Sequence, residues 1–166
     1  MRHAFVLAFL ALGLLLGVSG LATASDANGN HATYIWVVGA TTPSDTAIAP
    51  NGSTITMSGF GTLTAGPGNT AGGGGSYSLS GGGSGTWNVT GIQGFVSYGT
   101  PDGEVFGGEA KLNVELSNGA SGVLTIYCLL GSPPAGKKEG ISVVLSNGGQ
   151  FTKPVEESGN TVFILF

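Results

Sequence analysis

The chain has 166 residues with a formal net charge of −4; only 8% are charged, 32 are glycine, one is cysteine and two are histidine. That length suits one domain. Lysines and arginines are too few to build a nucleic-acid-binding surface, one cysteine forbids an internal disulfide, and a Cys/His metal cluster lacks ligands, so no cofactor is expected.

Met1-Arg2-His3 is a short basic start to an apolar run at residues 4–18. Ser19 and Gly20 break the run, and Ala22-Thr23-Ala24 has the small-x-small form favoured before a signal peptidase cut. A run of about 15 apolar residues is short of the roughly 20 that span a bilayer. The pattern predicts a signal peptide over 1–24, cleaved between Ala24 and Ser25. The mature chain is then a single secreted, extracellular domain over 25–166, with no stable membrane insertion. Its four lysines against nine carboxylates leave a net charge of −5.

The mature chain alternates strand signals with turn signals. Tyr34-Ile35-Trp36-Val37-Val38 is an apolar run of strand length. Ile55, Met57 and Leu63 then share one parity, with Thr54, Thr56, Thr62 and Thr64 on the other, the period of two of a half-buried strand. Tyr77 and Leu79 alternate with serines, Trp87 and Val89 with Thr86, Asn88 and Thr90, and Ile92, Val96 and Tyr98 form another short candidate. Ala110, Leu112, Val114 and Leu116 lead into the turn Ser117-Asn118-Gly119-Ala120, since Asn-Gly accepts the positive φ of tight hairpins. The returning stretch 123–130 is apolar on both parities, which predicts a central, covered strand. Residues 141–145, the turn Ser146-Asn147-Gly148-Gly149 and residues 151–155 repeat the arrangement, and 161–166 is a last apolar strand.

Helix signals are almost absent. The expected fold is all-β: an antiparallel β-sandwich or jelly-roll-like barrel of about 9–10 short strands with glycine-rich loops. Stretches 26–33, 41–51 and 66–75 carry no assignment. Gly72-Gly73-Gly74-Gly75 and Gly81-Gly82-Gly83 have nothing to pack and read as mobile loops at sheet ends.

Few residues suggest chemistry. His31, alone in the mature chain, reads as a solvated residue. Cys128 shares parity with Leu124 and Ile126, which predicts a buried, inert thiol. Asp102, Glu104 and Glu109 cluster around Pro101-Asp102-Gly103. They suit a turn, oxygen ligands for Ca²⁺, or, for two glutamates about 5 to 9 Å apart, glycoside hydrolysis. Trp36 and Trp87 fit a core or a platform for stacking on sugar, and the threonines from Thr54 to Thr64 fit a flat hydroxyl array. Lys137-Lys138 is too short to attract a polyanion. Asn51-Gly52-Ser53 and Asn88-Val89-Thr90 are N-glycosylation sequons.

The run Cys128-Leu129-Leu130-Gly131-Ser132-Pro133-Pro134, followed by Glu139-Gly140-Ile141, resembles a family of small exported glycine-rich β-proteins of unknown function. Ile55-Thr56-Met57-Ser58-Gly59-Phe60-Gly61 and Gly85-Thr86-Trp87 contribute to the resemblance. It implies an exported all-β protein and carries no catalytic or binding residue. The function expected from these features is non-enzymatic binding of extracellular carbohydrate or wall polymer. The alternatives are a small glycoside-active enzyme using two of Glu104, Glu109 and Glu115, and a structural, self-associating extracellular protein.

Overall fold

In the computed structural model, residues 32–40, 44–155 and 161–166 are described; the expected leader, the cut at Ala24 and Ser25, and His31 lie outside them. The strands are β1 (Ala32–Val38), β2 (Asp45–Ile48), β3 (Thr54–Ala65), β4 (Thr70–Leu79), β5 (Ser84–Gly99), β6 (Val105–Leu116), β7 (Ser121–Cys128), β8 (Gly140–Leu145), β9 (Gln150–Phe151), β10 (Lys153–Pro154) and β11 (Thr161–Leu165). The described residues contain no helix, and the protein is all-β and antiparallel. The strands are neither nine or ten nor uniformly short: β3, β4, β5 and β6 run to 12, 10, 16 and 12 residues.

The lengths follow from the pairing. Strands β2 to β8 each pair with the next in chain order, and β10 returns to β2, so residues 150–154 carry the ladder from β8 back to β2. A second circuit uses the other halves of the long strands. Beyond β2, β3 pairs with β1, which pairs with β11, which reaches the start of β6. Every strand longer than two residues is paired along both edges, which leaves little open edge for association. The arrangement is compatible with the expected sandwich or jelly-roll-like barrel.

Four tight hairpins close one end of the circuit from β2 to β10. In each, a first residue donates its N–H to the carbonyl four residues on: Ala49 to Ser53, Leu79 to Gly83, Leu116 to Ala120 and Leu145 to Gly149, at 2.7–2.9 Å. The fourth residue of each is a glycine with φ between +83° and +95°, a backbone other residues enter at a cost. In three, an asparagine side chain accepts the N–H two residues on. The two Asn-Gly hairpins expected from sequence are therefore half of a set of four.

Glycine is also built into the sheet. Gly72-Gly73-Gly74-Gly75, expected as loop, lies within β4, paired with residues 59–62 of β3; only Gly81-Gly82-Gly83 forms a turn. The reason lies on the inner face. Trp36 and Trp87 are fully buried there, with ring centroids 5.6 Å apart and planes at 26°. A Cβ on Gly61 would sit 2.5 Å from the Trp36 ring, one on Gly73 2.8 Å from it, and one on Gly59 2.8 Å from the Trp87 ring. The indoles occupy the volume that side chains on β3 and β4 would fill. Both indole N–H groups are satisfied, Trp36 donating to the Thr62 carbonyl and Trp87 to those of Ser58 and Ser76.

In β5 the sequence period breaks for a physical reason. Its pairing with β6 shifts register after Val89, Ile92 and Ser97, and each bulge adds a residue and resets the alternation. Val89, Ile92 and Phe95, three apart, consequently all pack against the core, while Val96, which shares the sequence parity of Ile92, is 60% exposed. Phe95 joins Tyr34 and Phe163 at ring distances of 4.8 and 5.0 Å.

Candidate functional site

The outer face of β2 to β5 is a surface of one chemistry. Cross-strand neighbours share a face, and the register aligns Thr46, Thr56, Ser78 and Ser84 in one row and Ser58, Ser76 and Thr86 in the next. Hydroxyls meet across the rows, Thr46 to Thr56 at 3.0 Å and Ser58 to Ser76 at 2.9 Å. Ser44, Thr56, Ser58, Ser76 and Ser78 border a shallow depression of about 240 Å³. No charged residue occurs between Asp45 and Asp102, so this half of the circuit presents only neutral donors and acceptors.

Phe60 stands in the middle of this face. It is 70% exposed, with Val37 opposite on β1 and Gly74 opposite on β4. Gly74 has no side chain to cover it, and Asn88 follows in the same row. Trp36 and Trp87, which the sequence left between a core and a sugar platform, are wholly interior and offer no surface to a ligand. The exposed aromatic was passed over because Phe60 lies among glycines, although its parity with Thr56 and Thr62 was the available signal.

The carboxylates are not gathered. Asp102 caps its own turn: its Oδ1 accepts the Glu104 and Val105 N–H groups and the Thr100 hydroxyl at 3.0 Å, and the two backbone N–H groups lead in holding its carboxyl below the usual range. Glu104 is exposed in the same loop. Glu109 and Glu115 are six residues apart on β6, roughly 20 Å along an extended strand, too far for a glycosidase pair. Among the described residues no three His, Cys, Asp or Glu side chains are placed to hold a metal ion.

Glu109 sits instead under the loop that follows β7. Lys137 reaches its Oε2 at 2.6 Å and Lys111 its Oε1 at 3.4 Å, and the Tyr98 hydroxyl donates to it at 3.2 Å. Burial alone would raise the Glu109 pKa, but Lys137, Tyr98 and Lys111 together outweigh it and the net shift is downward. Lys137 also lies 5.2 Å from the centre of the Tyr127 ring. This cluster fastens the loop to the sheet.

A second polar cluster, missed in sequence, is interior. Glu139 accepts the Leu129 N–H at 2.6 Å and the Thr161 hydroxyl at 2.8 Å, and the same hydroxyl meets the Tyr127 carbonyl. One side chain thus joins the ends of β7, β8 and β11. Asp45, completely buried on β2, accepts the Gly39 N–H at 2.8 Å through Oδ2, while its Oδ1 has no partner among the described residues. Cys128 is buried beside this cluster, and burial, ahead of all other influences, pushes its thiol up to about 11. Native Cys128 is therefore expected to react with an aromatic disulfide reagent at pH 8 roughly a hundredfold more slowly than in urea; equal rates would refute the burial.

Asn51 and Asn88, the sequon asparagines, are both exposed. No family model, curated protein or solved structure matches the chain, so every functional residue is assigned here from its own geometry.

Proposed function

We propose that this chain is a secreted, non-enzymatic protein that binds a neutral extracellular polysaccharide on the outer face of β2 to β5. The observation that carries the proposal is Phe60, a largely exposed aromatic ring set among aligned hydroxyls on a face without charge. Pyranose rings present an apolar face of C–H groups and an equatorial rim of hydroxyls. An aromatic ring takes the first, and serine, threonine and asparagine side chains take the second. Repeating rows about 4.8 Å apart across strands and about 6.8 Å apart along them suit a polymer better than a single small molecule.

The test is affinity electrophoresis in gels containing neutral polysaccharides. At least one should retard the mature protein, and Phe60→Ala should bind about tenfold more weakly, equivalent to 1.4 kcal/mol. No retardation by any polymer, or equal retardation of Phe60→Ala, would overturn the proposal. Gly72 shares this face and has open space around it. Gly72→Trp should block binding while leaving the fold intact.

A further inference from the structure

We infer that the seam between the first and fourth hairpins is a binding site for a 2-acetamido sugar unit. This deepens the polysaccharide proposal and rests on it for the identity of the polymer, but the seam can be tested alone.

Three of the four turns at the closed end lock onto the preceding hairpin through serine. Ser80 donates its backbone N–H to the Thr54 carbonyl at 3.0 Å, and its hydroxyl accepts the Thr54 N–H at 2.8 Å. Ser117 brackets Thr86 in the same way, at 2.8 and 3.2 Å. Ser146 donates to the Ser121 carbonyl at 2.8 Å and meets the Ser121 hydroxyl at 3.2 Å. Each of these three turns thus offers an amide N–H and a hydroxyl on adjacent carbons to one strand residue of the preceding hairpin.

The last junction, between the fourth hairpin and the first, lacks this device. Gln150 occupies the place that Thr54 and Ser121 hold in their hairpins. The Leu145–Gly149 bond that closes its turn makes Val144–Gln150 a non-hydrogen-bonded pair, so the Gln150 N–H and C=O point away from β8. The turn residue beside it is Pro50, which has neither N–H nor hydroxyl. At this junction lies a groove of about 290 Å³ lined by Ala49, Pro50, Asn51, Gly149, Gln150 and Phe151.

The missing group defines the ligand. What serine supplies is an acylated N–H and a hydroxyl on neighbouring carbons, the arrangement of N2 and O3 in a 2-acetamido-2-deoxyhexose. The sugar N–H would donate to the Gln150 carbonyl and O3 would accept from the Gln150 N–H, with the acetyl methyl against Pro50 and Phe151. A peptide carrying N-acylserine shares this chemistry. The sugar is favoured because the seam displays only one residue's pair: Lys153 and Pro154 are already paired with β2, and Val155 donates to the Thr46 carbonyl at 2.9 Å.

The test is NMR titration of ¹⁵N-labelled mature protein with N-acetylglucosamine, glucose, glucosamine and N-acetylserine methylamide. N-acetylglucosamine should shift the Gln150, Gly149 and Asn51 amides with at least tenfold higher affinity than the other three. Pro50→Ser, which supplies the serine of the other turns, should abolish these shifts, and Pro50→Ala, which restores only the N–H, should weaken them severalfold. Absent shifts, equal response to glucose, a stronger response to the serine compound, or full binding by Pro50→Ala and Pro50→Ser would each overturn the inference. Phe60→Ala should leave the titration unchanged. Shifts without polymer retention would therefore defeat only the polysaccharide proposal, and retention without shifts only the seam.

Discussion

Gly61→Ala is expected to destabilise the protein by about 3 kcal/mol, the upper range for forcing extra volume into a packed interior, whereas Gly72→Ala, one strand away, should be neutral or stabilising by about 0.5 kcal/mol. The two glycines lie on opposite faces of the same ladder. At Gly61 a methyl would overlap the Gly72 carbonyl and lie 2.5 Å from the Trp36 ring; at Gly72 it meets nothing within 4 Å. An indole that buries roughly 200 Å² at about 25 cal/mol per Å² contributes on the order of 5 kcal/mol, so displacing it is expensive. The measurement is urea unfolding followed by fluorescence. Trp36 and Trp87 are the only tryptophans, so the signal comes from the affected seat itself. The midpoint should fall for Gly61→Ala with an unchanged slope. Trimming the ring in Gly61→Ala/Trp36→Leu should make the double change less costly than the sum of the two single changes. Equal effects at Gly61 and Gly72 would show that the inner glycines do not seat the indoles.

That glycine floor also marks where the sequence ceases to be legible. The alternation of Ile55, Met57 and Leu63 with threonines, the Asn-Gly turns and the apolar runs around β1, β7, β8 and β11 could be read directly, because each is set by local periodicity or turn chemistry. The β4 glycines could not, since what makes them strand is an indole delivered from β1 and β5. The bulges of β5 turn a period of two into spacings of three, so Ile92 turns inward out of step with Val89, and Phe95, not Val96, follows it into the core. At the site, the hydroxyl face was visible as a parity, but Phe60 was not singled out, and the choice between core and platform for Trp36 and Trp87 was not fixed by pattern. Trp36 and Trp87 follow the same alternation whether they point in or out, and only the pairing partners decide. Buried Asp45 and half-buried Glu139 carry no local signal of their place, because an acid beside Thr46 or Gly140 looks like ordinary turn composition.

Asp45→Asn is expected to stabilise the protein by about 2–3 kcal/mol at pH 7.5 and to have little effect at pH 4. Burial pushes the Asp45 carboxyl up to about 6; the Gly39 N–H pulls it down and the charge of Glu139 pushes it further up. In the unfolded chain the same carboxyl titrates near 3.9. Below about pH 4 it is neutral in both states and costs nothing. Between about pH 4 and 6 the folded protein keeps a proton that the unfolded chain has released, so stability falls as pH rises. Above about pH 6 both states are ionised and the folded state bears the whole cost of an interior charge whose Oδ1 has no partner among the described residues. Asparagine removes the charge and keeps an oxygen for the Gly39 N–H. Asp102 and Glu109 act in the opposite sense, since their lowered pKa values add stability that is lost only as the pH falls below the ordinary carboxylate range. Subtracting the variant's unfolding free energy from the wild type's across pH 4 to 8 should cancel their contribution and leave a difference that grows between about pH 4 and 6, is half complete near pH 5 and levels off above about 6. A difference independent of pH, or a variant less stable than wild type at pH 7.5, would mean that Asp45 is held by a compensating positive charge and that the interior cluster is an ion pair instead of an uncompensated acid.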